Sequence, residues 1–430
     1  MIKNFEVCLV LFCIFFFSPP SSAQPAALQT DDLKQLIKDA LDHNPELKAA
    51  REEWKAAQKR IPQASALPDS MATYTVMGPM LETRVGPQKD MYEFEQMIPF
   101  PGKLVEKRKI AASEAKAFEA RLKGLERGIV FKVTEAYYDL YKVEKTLKVT
   151  EEVRDLLMRF EEAAQSRYAS LAGSQRDVAR AQSEVSETLE RLFMLQKEKE
   201  SLVALLNSLL DRRDDGSSFI GQLYDTTDPP MPQLTQGLDE LLAETRTNRP
   251  EVLEGEAMKE KEEHARALAR YEYAPDLTVG FQYVRIGAGD TSDPDDGKDA
   301  WMIPLRITIP WWQGRAGATV EETRSNLKSS EAKLKNLRNL AEYELKNAYY
   351  RFNAQKKTVE LYQNALIPQA ELAFHSDRAG YEAGKTDILN FIDSERVYWN
   401  ARSAYYEAFS EALKSFAAIE RAVGKNLSDY

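Results

Sequence analysis

Cysteine is nearly absent from this chain of 430 residues, because Cys8 and Cys13 are its only two and both lie within residues 1–23. That segment combines an early lysine, an apolar run and small residues up to Ala23, which is typical of a secretory signal peptide cleaved after Ala23. We therefore expect an exported protein without cysteine. Disulfide-stapled scaffolds, thiolate metal sites and thiol enzymes are excluded for such a chain.

Other features are also missing. The 58 Lys and Arg residues are outnumbered by 68 Asp and Glu, whereas nucleic acid binding needs clustered basic charge. After the signal no apolar run reaches the ~18 residues of a membrane-spanning helix, although strands of about 9 to 11 alternating residues could still cross an outer membrane. Bulky residues precede Cys13, so no lipid anchor is expected there.

Chemistry-bearing motifs are scarce as well. The histidines, His43, His264 and His375, stand far apart and lack the paired spacing of metal ligands. No constellation for nucleophilic or acid-base catalysis and no nucleotide-binding fingerprint occurs. The sequence therefore predicts neither an enzyme nor a cofactor or metal site.

The most informative feature that is present is an internal duplication. Landmarks of the first half return in the same order in the second half at a nearly constant offset, which two unrelated helical segments would hardly share. The pairs are Asn44-Pro45-Glu46 with Asn248-Arg249-Pro250-Glu251, Leu67-Pro68-Asp69 with Ala274-Pro275-Asp276, Ile98-Pro99-Phe100-Pro101-Gly102-Lys103 with Ile309-Pro310-Trp311-Trp312-Gln313-Gly314-Arg315, Ala136-Tyr137-Tyr138 with Ala348-Tyr349-Tyr350, Arg167-Tyr168 with Gly380-Tyr381, and Gly173 and Asp177 with Gly384 and Asp387.

Each half is predicted to hold short helices, two strands, a very long helix, a tight turn and a returning helix. The first repeat covers 24–212, a connector rich in Gly, Pro, Ser and Asp covers 213–236, the second repeat covers 237–424, and a tail covers 425–430. The first repeat has strands at 71–84 and 90–99, a long helix at 103–167 and a return helix at 174–210. The second has a helix at 250–272, strands at 275–286 and 300–310, a long helix at 315–380 and a return helix at 386–423.

The long helices carry apolar residues at steps of three and four. At about 1.5 Å per residue the first would span roughly 100 Å, so the pattern favours a coiled coil in an elongated molecule over an ordinary buried helix face. Pro368 should kink the second long helix or leave a carbonyl unpaired. Gly173 and Gly384 are expected to end one helix of each hairpin, with Ser174 and Thr386 near the start of the next.

The predicted strands alternate between apolar and polar residues. Odd positions are apolar in 277–283 and again in 301–309, whereas Glu93, Glu95 and Arg306 fall on the polar face. Two interpretations stay open, namely a small soluble sheet packed on the helices and strands within an outer membrane. A membrane leaves no backbone group unpaired and a barrel needs about eight strands, so membrane strands would require two or three chains.

Three tryptophans lie at the ends of these strands. Trp301, Trp311 and Trp312 are candidates for membrane-interface anchors, because indole prefers that boundary. The last two could equally be packing residues at a strand-to-helix corner.

With the duplication, the Asn-Pro-Glu openings at Asn44 and Asn248, the strand-to-helix junctions and the hairpin turns, the chain resembles the TolC family of outer-membrane efflux proteins over essentially the whole mature sequence. The junctions at 98–103 and 310–315 are most similar to the heavy-metal efflux branch. The resemblance implies a mainly α fold with a small β part: a homotrimer with long coiled-coil hairpins in a periplasmic α-barrel, and four strands per chain in a shared 12-stranded outer-membrane β-barrel.

The resemblance also implies partners and site residues. The partners are outer-membrane lipid, a periplasmic adaptor (membrane fusion) protein and an inner-membrane pump of the RND type. Acidic residues that narrow the periplasmic entrance in the family fall on Asn390 and Asp393 here, so a weaker cation-binding gate or a different gate is implied, unless Asp393 is only a solvated helix residue. The implied adaptor-contacting tips are Leu171, Ala172, Gly173, Ser174, Gln175, Ala383, Gly384, Lys385, Thr386 and Asp387.

We therefore predict a passive exit duct of a tripartite efflux system, whose lumen favours cations because of Glu93, Glu95 and the net charge of −10. One alternative is the outer-membrane component of type I protein secretion. The other is a soluble periplasmic coiled-coil adaptor, which would lack the four amphipathic strands. No motif identifies the transported substrate.

Overall fold

Two long helical hairpins lie beside one small antiparallel sheet. The computed structural model describes residues 31–78, 82–171, 173–212, 228–290, 292 and 294–427. The predicted signal peptide lies outside these residues, as do most of the predicted connector and the end of the predicted tail.

The two repeats contribute the same kinds of element in the same order. The first consists of α1 (Asp31–His43), α2 (Pro45–Ser65), β1 (Met71–Val76), β2 (Glu82–Thr83), β3 (Gly86–Ile98), α3 (Pro101–Ala169) and α4 (Gln175–Leu209). The second consists of α5 (Leu238–Asn248), α6 (Pro250–Arg270), a 3₁₀ turn (Tyr271–Tyr273), β4 (Asp276–Ile286), β5 (Ala300–Met302), β6 (Leu305–Thr308), α7 (Gln313–Leu361), a π turn (Tyr362–Leu366), α8 (Ile367–Glu382) and α9 (Ile388–Val423).

The Asn-Pro-Glu opening of the first repeat is a helix cap. Asn44 Oδ1 accepts the backbone N–H groups of Glu46 and Leu47 at 2.9 and 3.2 Å, and its Nδ2 donates to the carbonyl of Leu209 at 3.0 Å. The side chain thus starts α2 and ties it to the end of α4. The second repeat places Arg249 at this cap, where it is buried and pairs with Glu344 at 2.5 Å.

The apolar stripes of the long helices form the core. In α3 the buried members are Leu122, Ile129, Val133, Ala136, Leu140, Val143 and Leu147, and in α7 they are Leu334, Ala341, Leu345, Ala348, Phe352 and Val359. The stripe of α3 packs with α1 and with the end of α4, and that of α7 packs with α5 and α9. Burial along one stripe of a 69-residue helix is the geometry of a coiled coil.

The second long helix is interrupted at a proline. A π turn at Tyr362–Leu366 ends two residues before Pro368, and α8 then resumes with Pro368 in its first turn. A missing N–H is tolerated in a first turn, and the π turn shifts the hydrogen-bond ladder past the proline ring. The irregularity predicted at this proline takes this form.

The sheet has the order β1, β3, β4, with β5 and β6 both pairing with β4. The first predicted strand, 71–84, contains two segments, β1 and β2, which both pair with β3, and residues 79–81 between them lie outside the described ones. The predicted strand 300–310 is split at Pro304, which has no N–H to donate, although its carbonyl accepts the N–H of Gly280 at 2.9 Å. Among the described residues, β1 and the β5–β6 pair are the two open edges.

Candidate functional site: the conduction path

The polar face of the sheet brings the predicted lumen residues together. Arg306 on β6 donates from Nη1 to Glu95 at 2.7 Å and from Nη2 to Glu93 at 3.2 Å. The register of β3 and β6 on either side of β4 sets these contacts, so spacing in the sequence could not reveal them. The arginine leaves a smaller negative excess than the two glutamates alone would give.

The opposite face of the sheet is apolar and open. Its exposed side chains are Tyr74, Val76, Tyr92, Phe94, Leu277, Phe281, Leu305 and Ile307. The described helices do not cover this face, so the interpretation as a soluble sheet packed on helices is wrong. A continuous apolar face of this size marks a surface that meets lipid or another chain.

The three candidate interface tryptophans are exposed. Trp301 lies on β5, beside the loop at 287–299, while Trp311 and Trp312 follow β6 at the start of α7 and are 80% and 83% exposed. In the single chain, packing at a strand-to-helix corner therefore does not account for Trp311 and Trp312.

The first hairpin tip turns at Leu171, not at the predicted glycine. Leu171 has a φ of 60° and is almost fully exposed, so it takes the left-handed position expected for Gly173. Ala172 lies outside the described residues. Ser174 and Asp177 then form a reciprocal capping box that starts α4, and Gln175 is its first residue.

The second tip turns at its glycine. Gly384 has a φ of 72° between Ala383 and Lys385, which a glycine adopts without strain. The cap of α9 is Asp387, and its side chain forms no capping bond. Thr386, predicted near this start, instead donates from Oγ1 to the carbonyl of Asp377 at 3.4 Å.

An aromatic cluster, which we call the tip cluster, connects the two hairpins behind these turns. Its buried members are Phe160, Ala181, Phe374, Tyr381, Ile388, Phe391 and Ile392. Phe160 of the first hairpin stacks on Phe391 of the second with ring centroids 3.9 Å apart. Arg167 lies over the ring of Tyr381 at 5.3 Å and donates to its carbonyl at 3.3 Å. The tips therefore form one packed unit.

The gate candidates lie on α9 next to the tip cluster. Asn390 and Asp393 are both exposed and one turn apart, and no hydrogen bond or ion pair connects Asp393 to any other described residue. Their exposure is compatible with a lining role and equally with simple solvation, so the gate stays a prediction.

Sequence reasoning missed a buried carboxylate two residues beyond Asp393. Glu395 is buried on α9, and its Oε1 has no hydrogen-bond partner among the described residues. Burial raises its pKa to about 7, the nearby carboxylate of Glu184 adds to the rise, and Arg191 and Arg396 oppose it. Arg396 is engaged by Glu184 at 2.6 Å. No local motif signals this residue, because its burial arises from the packing of two hairpins.

The described residues contain no group of three or more His, Cys, Asp or Glu side chains placed to hold a metal ion. The half-buried His264 contacts a neighbouring helix, with its Nδ1 2.8 Å from Glu106. None of the helices in the described ranges is long and apolar enough to cross a membrane.

Comparisons with known proteins agree with this geometry. The family described as outer membrane efflux protein matches residues 241–425. The cobalt-zinc-cadmium resistance protein CzcC of Cupriavidus metallidurans is 23% identical over 390 residues, which is 90% of this chain and 88% of that protein. The structure of CusC superposes with a TM-score of 0.78 at 16% identity, covering 94% of this chain and 96% of CusC. The outer membrane protein VceC from Vibrio cholerae gives a TM-score of 0.76 at 20% identity, covering 93% and 97%.

The helical hairpins, the two-faced open sheet and these matches define an outer-membrane channel with a long periplasmic extension, and the matched proteins are channel proteins, not enzymes. The chain matches the outer membrane efflux protein family over residues 241–425 and shares the fold of solved outer-membrane channels over nearly its whole length, and these matches support an exit duct for an efflux system. The similarity covers strands as well as helices, and strands are what a soluble adaptor would lack.

Proposed function

We propose that three copies of this chain form the outer-membrane duct of a tripartite efflux system that expels divalent heavy-metal cations. The observation that carries the proposal is the open sheet, whose apolar face is exposed and whose two edges, β1 and β5–β6, pair with no other strand in the described part of the chain. The six segments occupy four strand positions, since β1 and β2 both pair with the same side of β3, and β5 and β6 both pair with β4. In lipid every backbone group must find a partner, and four strands cannot close a barrel. Three chains supply twelve strands and remove both edges.

The partners follow from the two ends of the molecule. Trp301, at one end of the strands, and Trp311 and Trp312, at the other, would lie at the two lipid boundaries. The hairpin tips around Leu171 and Gly384 would meet a periplasmic adaptor, which delivers cargo from an inner-membrane pump of the RND type. Energy would come from the pump.

The cargo is inferred from charge and from a relative. The relative is named for resistance to cobalt, zinc and cadmium. The lumen face carries Glu93 and Glu95 against Arg306, and Asp393 is a free carboxylate near the tips. Carboxylates that are not gathered into a ligand set attract divalent cations without retaining them, as a duct requires.

The first measurement is the mass of the mature protein extracted from outer membranes, corrected for bound detergent. A particle of three chains that needs detergent supports the duct, and a monomer soluble without detergent overturns it. Cells lacking the chain but keeping its pump should then accumulate zinc and regain efflux with the wild-type chain. Unchanged zinc content with loss of a secreted protein would favour type I secretion.

The gate is tested by divalent-ion block of single channels from the periplasmic side. Asp393→Asn should weaken the block by cadmium, and Asn390→Asp, which supplies a second carboxylate, should strengthen it. Arg306→Gln in the same recordings should increase preference for cations by releasing Glu93 and Glu95. If Asp393→Asn and Asn390→Asp leave the block unchanged, the gate lies elsewhere.

A further inference from the structure

The first strand-to-helix junction, where β3 becomes α3, is packed by residues of the second repeat around the start of β4. Lys103 is 8% exposed, and its Nζ lies 2.9 Å from both carboxylate oxygens of Asp276 at the start of β4. The same carboxylate accepts the backbone N–H of Phe100 at 2.8 Å. One aspartate thus holds both the side chain and the backbone of this junction.

The packing at this junction also explains its glycine. A Cβ at Gly102 would lie 2.5 Å from the ring of Tyr271, which occupies that space. The ring of Tyr271 lies 5.6 Å from that of Phe100. The first junction is therefore filled on its outer side by residues that precede β4.

The second junction, where β6 becomes α7, has the same sequence pattern but no such cover. Its basic residue, Arg315, has a side chain that is 84% exposed and makes a 3.4 Å contact with Glu272. A Cβ at Gly314 would meet no atom within 4 Å. Trp311 and Trp312 are largely exposed to solvent, whereas Phe100 at the first junction is partly buried.

The counterpart of Asp276 in the first repeat also has no bonding partner among the described residues. The duplication equates Lys103 with Arg315 and Asp276 with Asp69. Asp69 precedes β1, is exposed, and forms no hydrogen bond or ion pair with any described residue. Within one chain, β1 and β6 lie at opposite edges of the sheet, so Asp69 and Arg315 sit on the two surfaces that lack a neighbour.

We infer that the second junction is completed by the first repeat of an adjacent copy, in which Arg315 binds Asp69 of the partner subunit as Lys103 binds Asp276 within the chain. The occupant is a second copy of this chain, because the charges are complementary and the duplicated sequence supplies the missing half of a contact that the chain already makes once. The inference rests on the proposed trimer and specifies its contact.

The same equivalence fixes the strand register across the subunit boundary. Within the chain, Ile98 of β3 pairs with Leu277 of β4. The duplication equates β3 with the β5–β6 strand and β4 with β1. If the pairing of β3 with β4 is transferred to β6 and β1 of adjacent copies, Ile307 lies opposite Ala72 of the partner subunit, and Arg306 lies opposite Thr73 of the partner subunit. Ala72 and Ile307 are each on the apolar face of the sheet, while Thr73 and Arg306 are each on the polar face, so the register passes the test of matching faces.

Cross-linking between two differently tagged copies tests the contact. One copy carries Asp69→Cys and the other Arg315→Cys, in a mature sequence expected to have no other cysteine. The contact joins side-chain tips, so a short bis-maleimide is used in place of a disulfide. A product carrying both tags is expected. In the matched control the second copy carries Glu162→Cys, an exposed site roughly 90 Å along α3 from the junction, and should give none.

Charge reversal gives an independent measurement. Arg315→Asp alone and Asp69→Arg alone should each lower the temperature at which the three-chain particle dissociates, and the double variant should restore it, while Arg315→Lys should retain it. A three-chain particle with no doubly tagged product and no rescue would overturn this contact but leave the proposed duct standing. A particle that is monomeric in the wild type would overturn both.

Discussion

The two hairpin tips share a sequence pattern but differ in how they are held. Tyr381 in the second tip is 7% exposed inside the tip cluster, whereas its repeat counterpart Tyr168 is 46% exposed. Phe391 is fully buried there, and the corresponding position in the first repeat is the small, buried Ala181. The second tip is therefore held by packing, and the first is held mainly by the local capping box of Ser174 and Asp177.

This difference shows that two repeats with the same sequence pattern can be stabilised by different interactions. The second repeat supplies most of the large side chains of the tip cluster, while the first supplies Phe160 and, at Ala181, the space in which they pack. The first tip is left with exposed residues such as Leu171 and Tyr168, which are available to a partner.

The largest expected effect comes from truncating the paired tyrosines. Tyr381→Ala removes a buried ring and should lower the free energy of unfolding by about 3 kcal/mol or more. Tyr168→Ala should change it by no more than about 0.5 kcal/mol. Urea unfolding of the detergent-solubilised protein at fixed concentration measures both, and equal losses would contradict the difference between the tips.

The next effect is a pH dependence in the second repeat, where Glu395 occupies the position of Val185 in the first. Its pKa in the folded protein is raised from 4.5 to about 7, so the folded state holds the proton more tightly than the unfolded state. The contribution of Glu395 to stability should be fully present below about pH 4.5, fall by on the order of 3 kcal/mol as the pH rises towards 7, and then level off.

Glu395→Gln should remove this component of the pH profile while keeping the side-chain shape. The matched control is Glu407→Gln, an exposed glutamate on the same helix, which should leave the profile as in the wild type. The quantity to compare is the difference in unfolding free energy between pH 5 and pH 8 for each variant. A difference that persists in Glu395→Gln would assign it to other groups.

The two turns should respond differently to changes at their left-handed residues. Gly384→Ala adds a Cβ at a φ of 72° and should cost about 1 to 2 kcal/mol. Leu171→Gly relieves a φ of 60° at an exposed leucine and should be neutral or slightly stabilising. Thermal unfolding midpoints distinguish these cases, and a loss for Leu171→Gly would mean that the leucine makes a contact in the trimer.

The smallest effect separates the two helix starts. Ser174→Ala removes a capping bond to the N–H of Asp177 and should cost about 1 kcal/mol. Asp387→Ala at the equivalent start should cost less, since that side chain forms no capping bond. Proteolysis of the tips in the folded protein offers a local readout, with Ser174→Ala cleaved faster than Asp387→Ala.

Much of the architecture could be predicted because it depends on the periodicity of apolar residues and on the residues that interrupt helices and strands. The stripe from Leu122 to Leu147 alternates in steps of three and four, and the strands around Phe94 and Phe281 alternate in steps of two, so their faces were predictable. The split at Pro304 could have been predicted as well, since a proline inside an assumed ladder is visible in the sequence.

The site was less predictable because its contacts join residues far apart in the chain. Arg306 reaches Glu93 and Glu95 only through the register of two intervening strand pairings. Which residue of a turn takes the left-handed conformation also depends on packing. Gly384 followed the prediction and Gly173 did not.

The sequence by itself determined the duplication, the long apolar stripes, the two-faced strands and the resemblance to outer-membrane efflux proteins, because each depends on a local period or on repeated motifs. Only the tertiary structure decided that Tyr381 is buried while Tyr168 is exposed, that Glu395 loses its solvent, and that one junction is covered while its counterpart is bare. Those outcomes depend on which surfaces meet, and the free energy of burial belongs to the pair of surfaces and not to either segment alone.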